Sequence, residues 1–224
     1  MANVLITGAN RGIGLELVRH FSSRGDRVMA VCRESSEALD TLADQIIAGI
    51  DMTDAEAVQG LQTIVAELLD GGPLDILVNN AGIFENETLE QMDFEQIRRQ
   101  FEVNSLAPLR LAHTLLPLMS AGSKITNITS RMGSMADNSS GGYYGYRASK
   151  AALNAFGKSL AEDLKPQGIA VAQLHPGFVQ TRMVNFAGDI SPQQAAEGLV
   201  ARIDELTIHN SGGFWHANGQ SLPW

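Results

Sequence analysis

The chain is poor in cysteine, in aromatics and in positive charge, and each scarcity excludes something. A single thiol, Cys32, among 224 residues cannot close a disulfide within the chain, so a cross-linked secretory scaffold is ruled out and a reducing, cytoplasmic setting is expected. Lys plus Arg number 16 against 25 Asp plus Glu, a net charge of -9. That balance argues against the basic face that a nucleic-acid partner requires. No apolar run approaches the roughly 18 residues of a membrane span, and the opening MANVLITGAN lacks the basic and apolar regions of a leader, so neither is expected. His20, His113, His175, His209 and His216 are scattered without paired ligand spacing, so no metal is expected. No G-x-S-x-G elbow suggests a hydrolase. Without repeats, low-complexity tracts or a Pro/Ser-rich linker, residues 1–224 are expected to form one domain.

What is present is an alternation of short β-rich apolar runs with longer helix-patterned stretches, the mark of βαβ units on a parallel sheet. Strands are expected at Val4–Ile6, Val28–Cys32, Ile46–Ile50, Leu74–Val78, Lys124–Thr129, Ile169–Leu174 and near Phe214. The fold class that follows is α/β, a single Rossmann-type doubly wound domain with a seven-stranded parallel sheet flanked by helices. One helix is well patterned: Leu153, Phe156, Leu160 and Leu164 recur three or four apart, with Lys158, Asp163 and Lys165 left for solvent and Pro166 and Gly168 closing it. Arg131–Gly145, rich in Gly, Ser, Asn and Met, is expected to be a mobile loop, and Met183–Ser191 a second.

Directly after the first strand comes Thr7-Gly8-Ala9-Asn10-Arg11-Gly12-Ile13-Gly14, then a helical run. Glycines let backbone approach a pyrophosphate without a Cβ in the way, and a helix N-terminus offers free N–H donors. The competing reading is a tight turn with incidental glycines. Tyr146 and Lys150, four apart, share a helix face, and of the clustered Tyr143, Tyr144 and Tyr146 only the last has a lysine at that spacing. A phenol with a reference pKa of about 10 needs a nearby cation if it is to give up its proton near neutrality.

The spacing T-G-x-x-x-G-x-G resembles the short-chain dehydrogenase/reductase family. So do Asn79-Asn80-Ala81-Gly82 after the fourth strand, Asn104 in a following helix, Ser130 at the end of the fifth strand, Tyr146-Arg147-Ala148-Ser149-Lys150, and Pro176-Gly177 with Thr181 beyond. These motifs stand in the family's order from residue 7 to residue 181. The string SRMGS, the loop after it, GYYGYRASKAALN and the endings Gly213-Phe214-Trp215 and Leu222-Pro223-Trp224 resemble a narrower group, the C-factor and sniffer-like carbonyl reductases.

The resemblance implies hydride transfer between a nicotinamide and a small-molecule carbonyl or alcohol. Tyr146 would deliver the proton, Lys150 would lower its pKa and bind the nicotinamide ribose, Ser130 would polarise the carbonyl, and Asn104 would link Lys150 to solvent through a backbone-held water. Ser134 is the rival serine. Gly8, Asn10, Arg11, Gly12, Ile13 and Gly14 would hold the pyrophosphate. Asp51 and Met52 would border the adenine, Asn79, Ala81 and Gly82 the adenosine ribose side, and Pro176, Gly177, Val179 and Thr181 the nicotinamide. Arg11 and Arg33 match the pattern that accepts a 2′-phosphate, so NADP(H) is expected, with NAD(H) the alternative because Glu34 could accept a free hydroxyl. The family further implies a homodimer or homotetramer. The C-factor likeness implies an alternative, cell-to-cell signalling that uses the dinucleotide site.

Overall fold

A computed structural model describes residues 1–43 and 45–224. Seven strands form one sheet: β1 (Asn3–Thr7), β2 (Arg27–Val31), β3 (Gln45–Ile47), β4 (Ile76–Asn79), β5 (Lys124–Ile128), β6 (Ala170–His175) and β7 (Gly213–His216). Their order is β3-β2-β1-β4-β5-β6-β7, and every pairing is parallel. All seven lie within a few residues of the positions expected from the sequence. The helices are α1 (Gly12–Ser23), α2 (Glu37–Leu42), α3 (Ala55–Leu69), α4 (Phe94–Phe101), α5 (Ala107–Leu115), α6 (Tyr144–Leu164) and α7 (Pro192–Glu205).

Both faces of the sheet are covered, which is why its central strands read as unbroken apolar runs rather than alternating ones. Alternate side chains of a strand enter different layers. Val4 and Ile6 of β1 pack with Leu17, Phe21, Leu199 and Ile203 of α1 and α7. Leu5 points the other way, into Val58, Leu61, Leu111 and Leu164 of α3, α5 and α6. Because chain direction from the centre reverses between β1 and β4, the loops after these two strands diverge and leave a crevice at their carboxyl ends.

Two expectations need correction. Arg131–Gly145 is not one open loop. Ser130 caps a 3-10 turn over Arg131–Gly133 by accepting the Met132 N–H at 3.1 Å, and α6 starts at Tyr144, within the stretch expected to be loop. Local composition hid this because the order comes from distant contacts: a Cβ on Gly133 would meet the Lys150 carbonyl carbon at 2.7 Å, so this turn is pressed against α6. Asn104 lies not in a regular α-helix but in a π-helical turn, Glu102–Leu106, joining α4 to α5. Pro108 has no N–H, so the carbonyl of Asn104 lacks its ordinary i+4 donor. The Met183–Ser191 segment holds a short 3-10 turn, Arg182–Val184, and is pinned by a bridge between Val179 and Ile190.

Candidate active site

The glycine loop and the end of β4 are built as one piece. Thr7 Oγ1 accepts the N–H groups of Asn80 and Ala81, both at 3.0 Å, and Asn80 Nδ2 donates back to the carbonyls of Thr7 and Gly8 at 2.9 and 3.2 Å. This closeness dictates glycine. Gly8 has φ +64°, and a Cβ there would lie 2.9 Å from Ala81 Cα, while one on Gly14 would lie 2.2 Å from the Gly8 oxygen. Neither Thr7 nor Asn80 was assigned a role from the sequence, although both sit inside the motifs that were.

Helix α1 is prepared for an anion. Asp54, Asp93 and Ser191 cap α3, α4 and α7 with side-chain oxygens. At α1 the N-cap residue is Arg11, which makes no side-chain cap bond, and no acidic residue stands in the first turn. Its leading N–H groups, those of Ile13 and Gly14 among them, face the turn uncapped. Asn10 fastens the neighbouring turn: its Nδ2 donates to the Glu34 carbonyl at 2.9 Å, and Ser36 Oγ donates to the Asn10 carbonyl at 2.8 Å. Arg33 is thereby held beside the glycine loop. Arg11 and Arg33 are both exposed, and neither is in an ion pair among the described residues.

A small void beside this loop, too narrow for a ligand, is lined by Thr7, Met52, Asn79, Ala81, Val103, Ala107 and Pro108. The last three were not foreseen; they come from the π turn and α5, which sequence order separates widely from Met52. Asn79 Nδ2 is bonded across the sheet to Asn127 Oδ1 at 2.9 Å, and its Oδ1 is buried without a partner. Asp51 is lowered from the ordinary carboxylate value by hydrogen bonds from the Thr53 backbone and hydroxyl, with smaller help from Arg33 and Arg99. Opposite, Thr181 reaches the glycine loop: a Cβ on Gly12 would lie 3.4 Å from Thr181 Cγ2. Val179 is buried, and Gly177 has φ +96° where the chain turns after Pro176.

The residues expected to do chemistry converge at the same end of the sheet. Tyr146 and Lys150 are buried on one face of α6, with Lys150 Nζ 5.9 Å from the Tyr146 ring centre. Lys150 Nζ donates to the Ile128 carbonyl at 2.9 Å. Burial pushes the Lys150 ammonium down to about 8. Burial likewise pushes the Tyr146 phenol up to about 12, opposed by a hydrogen bond with Ser130. Phe84 packs edge-on against the Tyr146 ring with centres 4.8 Å apart. The Asn104 side chain is fully engaged: Oδ1 accepts the Ile83 N–H at 2.8 Å, and Nδ2 donates to the Ile83 carbonyl at 2.9 Å and to Ser149 Oγ at 3.0 Å. Gly82 lies beside it, where a Cβ would sit 3.2 Å from Asn104 Oδ1 and 3.7 Å from Lys150 Nζ.

The rival serine is elsewhere engaged. Ser134 is buried, and its Oγ accepts the Asp137 N–H at 3.1 Å. His175 and His216 pack edge-on with centres 5.0 Å apart. His175 is pushed down to about 3, chiefly by burial and secondarily by His216 and Arg131, and so is neutral. No group of three or more His, Cys, Asp or Glu that could hold a metal occurs among the described residues. The larger surface cavity, about 430 Å³ between Ala66–Pro73 and Pro117–Ser120, opens at the other ends of the strands and holds no titratable side chain.

A parallel sheet with a glycine turn and an uncapped helix at its switch point is a dinucleotide-binding architecture. The short chain dehydrogenase family model matches residues 2–192, and the chain belongs to that family. It is 40% identical over 228 residues, the full length of both chains, to a 1-hydroxy-2-glutathionyl-2-methyl-3-butene dehydrogenase of Rhodococcus sp. strain AD45. Among solved structures it is similar to the carbonyl reductase Sniffer of D. melanogaster, with TM-score 0.94, 32% identity and all of both chains covered. It is also similar to an NADPH-bound carbonyl reductase from chicken fatty liver, with TM-score 0.92, 30% identity and 100% and 99% of the two chains covered. Among the described residues, no helix is long and apolar enough to cross a membrane.

Proposed function

We propose that this chain is an NADP(H)-dependent carbonyl reductase in which Tyr146 is the proton donor. The observation that carries the reading is a buried phenol on the same helix face as a buried lysine, beside Ser130 and at the strand ends that form the glycine crevice. The likeness to an NADPH-bound reductase supports it. The residues fit the dinucleotide: uncapped α1 donors suit the pyrophosphate, Asp51 and Met52 would border the adenine, and Arg11 and Arg33, exposed and in no ion pair among the described residues, suit a 2′-phosphate. The nicotinamide, when bound, supplies the hydride.

The chain does the rest. A phenol pushed up to about 12 keeps its proton at neutrality, which is the state that reduction of a carbonyl consumes. The Ser130 hydroxyl, which acts on the phenol, has one proton that it can donate instead to the carbonyl oxygen as negative charge develops there. Lys150 uses one N–H on Ile128 and has two left for the ribose hydroxyls. Asn104 spends its side chain on Ile83 and Ser149, leaving its backbone carbonyl to hold a water. Met135, Phe178, Met183 and Phe186 are exposed near this end, and they suit a substrate with hydrophobic bulk.

The test is NADPH binding by fluorescence, then NADPH consumption against aldehydes, ketones and quinones, with an alcohol bearing a glutathionyl thioether assayed in the oxidative direction. Binding without turnover of any of them would favour the signalling alternative. The Lys150 charge adds a pH prediction. Its reactive form is protonated, so kcat/KM, which reports groups of the free enzyme, is expected to be level at neutral pH and to fall as pH rises through about 8. A profile level to pH 10 would remove the ammonium from the mechanism.

The same reading makes residues 1–224 one cytoplasmic domain that self-associates. One sheet runs from Asn3 to His216, Cys32 is buried and free, and Leu89, Phe94 and Phe101 stand exposed on and before α4. Light scattering is expected to give two or four times 24.0 kDa; a mass that stays at 24.0 kDa would mean a monomer.

A further inference from the structure

We propose that Glu87 is a positioning residue for Tyr146, acting as a carboxylate clamp on the first turn of α6. Glu87 lies between β4 and α4, is 2% exposed and forms no ion pair among the described residues. A buried carboxylate without a cation survives only where hydrogen bonds replace its water. Here they come from the catalytic helix and its neighbour. Oε2 accepts the Gly145 N–H at 3.0 Å, and Oε1 accepts from Gln100 Nε2 of α4. The Glu87 carbonyl accepts the Tyr143 N–H at 2.9 Å. Gln100 is itself fixed, because its Oε1 accepts the Glu85 N–H at 3.0 Å.

These bonds act where α6 has nothing of its own. Its N-cap residue, Tyr143, makes no side-chain cap bond and holds φ 54°, a left-handed conformation that a bulky side chain adopts only when its surroundings impose it. Glu87 supplies the missing acceptor from 58 residues away and places negative charge at a helix N-terminus, where the dipole favours it. The clamp has no slack. A Cβ on Gly145 would meet Gln100 Nε2 at 2.5 Å and Glu87 Oε1 at 3.0 Å. Tyr146 is the next residue, and Phe84, three residues before Glu87, packs on its ring. Displacement of the first turn therefore moves the phenol, and misplacement by about 1 Å costs on the order of 100-fold in rate.

The inference rests on Tyr146 being the proton donor, so wild type and Tyr146→Phe are assayed first. Absent wild-type turnover defeats that reading before any clamp variant is compared. Glu87→Gln puts an N–H where Gly145 or Gln100 already presents one. It is expected to lower kcat by about 30-fold while the NADPH dissociation constant stays within about twofold. The swap E87Q/Q100E restores every bond: the new amide oxygen accepts from Gly145, its nitrogen donates to the carboxylate now on α4, and that carboxylate's second oxygen accepts the Glu85 N–H. It is expected to regain kcat to within about fivefold of wild type. A kcat for Glu87→Gln within about threefold of wild type, with or without a lowered Tm, would overturn the proposal. So would a folded swap that stays slow. If Glu87→Gln does not fold, the swap decides alone, and failure of both to fold assigns the carboxylate to stability and overturns positioning.

Discussion

Replacing Tyr146 by phenylalanine is expected to lower kcat for carbonyl reduction by about 10³-fold while NADPH binding stays within about threefold, because general acid catalysis contributes roughly 10² to 10⁴. The substitution removes one oxygen and keeps the ring, so the edge-on contact with Phe84 and the packing of α6 survive. It also relieves the burial of a hydroxyl, which burial holds in its protonated form, so no loss of stability is expected to accompany the loss of rate. Stopped-flow NADPH oxidation with a thermal melt of both proteins reads the two quantities separately. If turnover falls by less than about tenfold, roughly 1.4 kcal/mol, the phenol is not the acid.

The second large effect concerns cofactor choice. Two exposed guanidiniums, in no ion pair among the described residues, flank the place where the adenosine ribose would lie, Arg11 at the N-cap of α1 and Arg33 beyond β2. A hydrogen bond to a charged group is worth about 1.5 to 3 kcal/mol. Arg33→Ala is therefore expected to lower kcat/KM for NADPH by about 30-fold, and Arg11→Ala/Arg33→Ala by about 10³-fold, with NADH efficiency changed less than about threefold. The ratio of the two efficiencies, measured at one ionic strength, is the readout. An equal loss with both nucleotides would mean that the arginines act on something common to them, and the phosphate assignment would fail. Glu34 then becomes the group to examine. Its carbonyl already anchors Asn10, which keeps its backbone fixed whatever its side chain accepts.

Much of the fold was legible because it rests on period. The runs at Val4–Ile6 and Lys124–Ile128 are strands whose neighbours in space are again strands, so local apolarity and tertiary burial agree. Leu153, Leu160 and Leu164 likewise face inward as their spacing requires. The stretch before Tyr146 was only partly legible, for the opposite reason: 134–143 is irregular as expected, but both its flanks are ordered. Its Gly and Ser content says nothing of the pressure that orders it, since the Gly133 turn is held by the backbone of Lys150 and the Tyr143–Gly145 turn by Glu87. Asn104 was singled out by its motif, but its bonds to Ile83 and Ser149 span 21 and 45 residues and have no local signature.

By itself, then, the sequence determined the class of fold and the positions of its strands, and its motifs named the residue types at the carboxyl ends of β1, β4, β5 and β6, while the order of the strands in the sheet came from the structure. The fold class and strand positions depend on hydrophobic period and the glycine turn on close backbone approach, both written in short windows, whereas the residues at the strand ends were named through the family resemblance. Only the tertiary structure decided which atoms meet: Thr181 against Gly12, Thr7 bonded to Asn80, Glu87 bonded to Gly145. It also decided the chemistry of Tyr146 and Lys150, because the desolvation that moves the phenol up and the ammonium down comes from side chains and backbone far away in the chain.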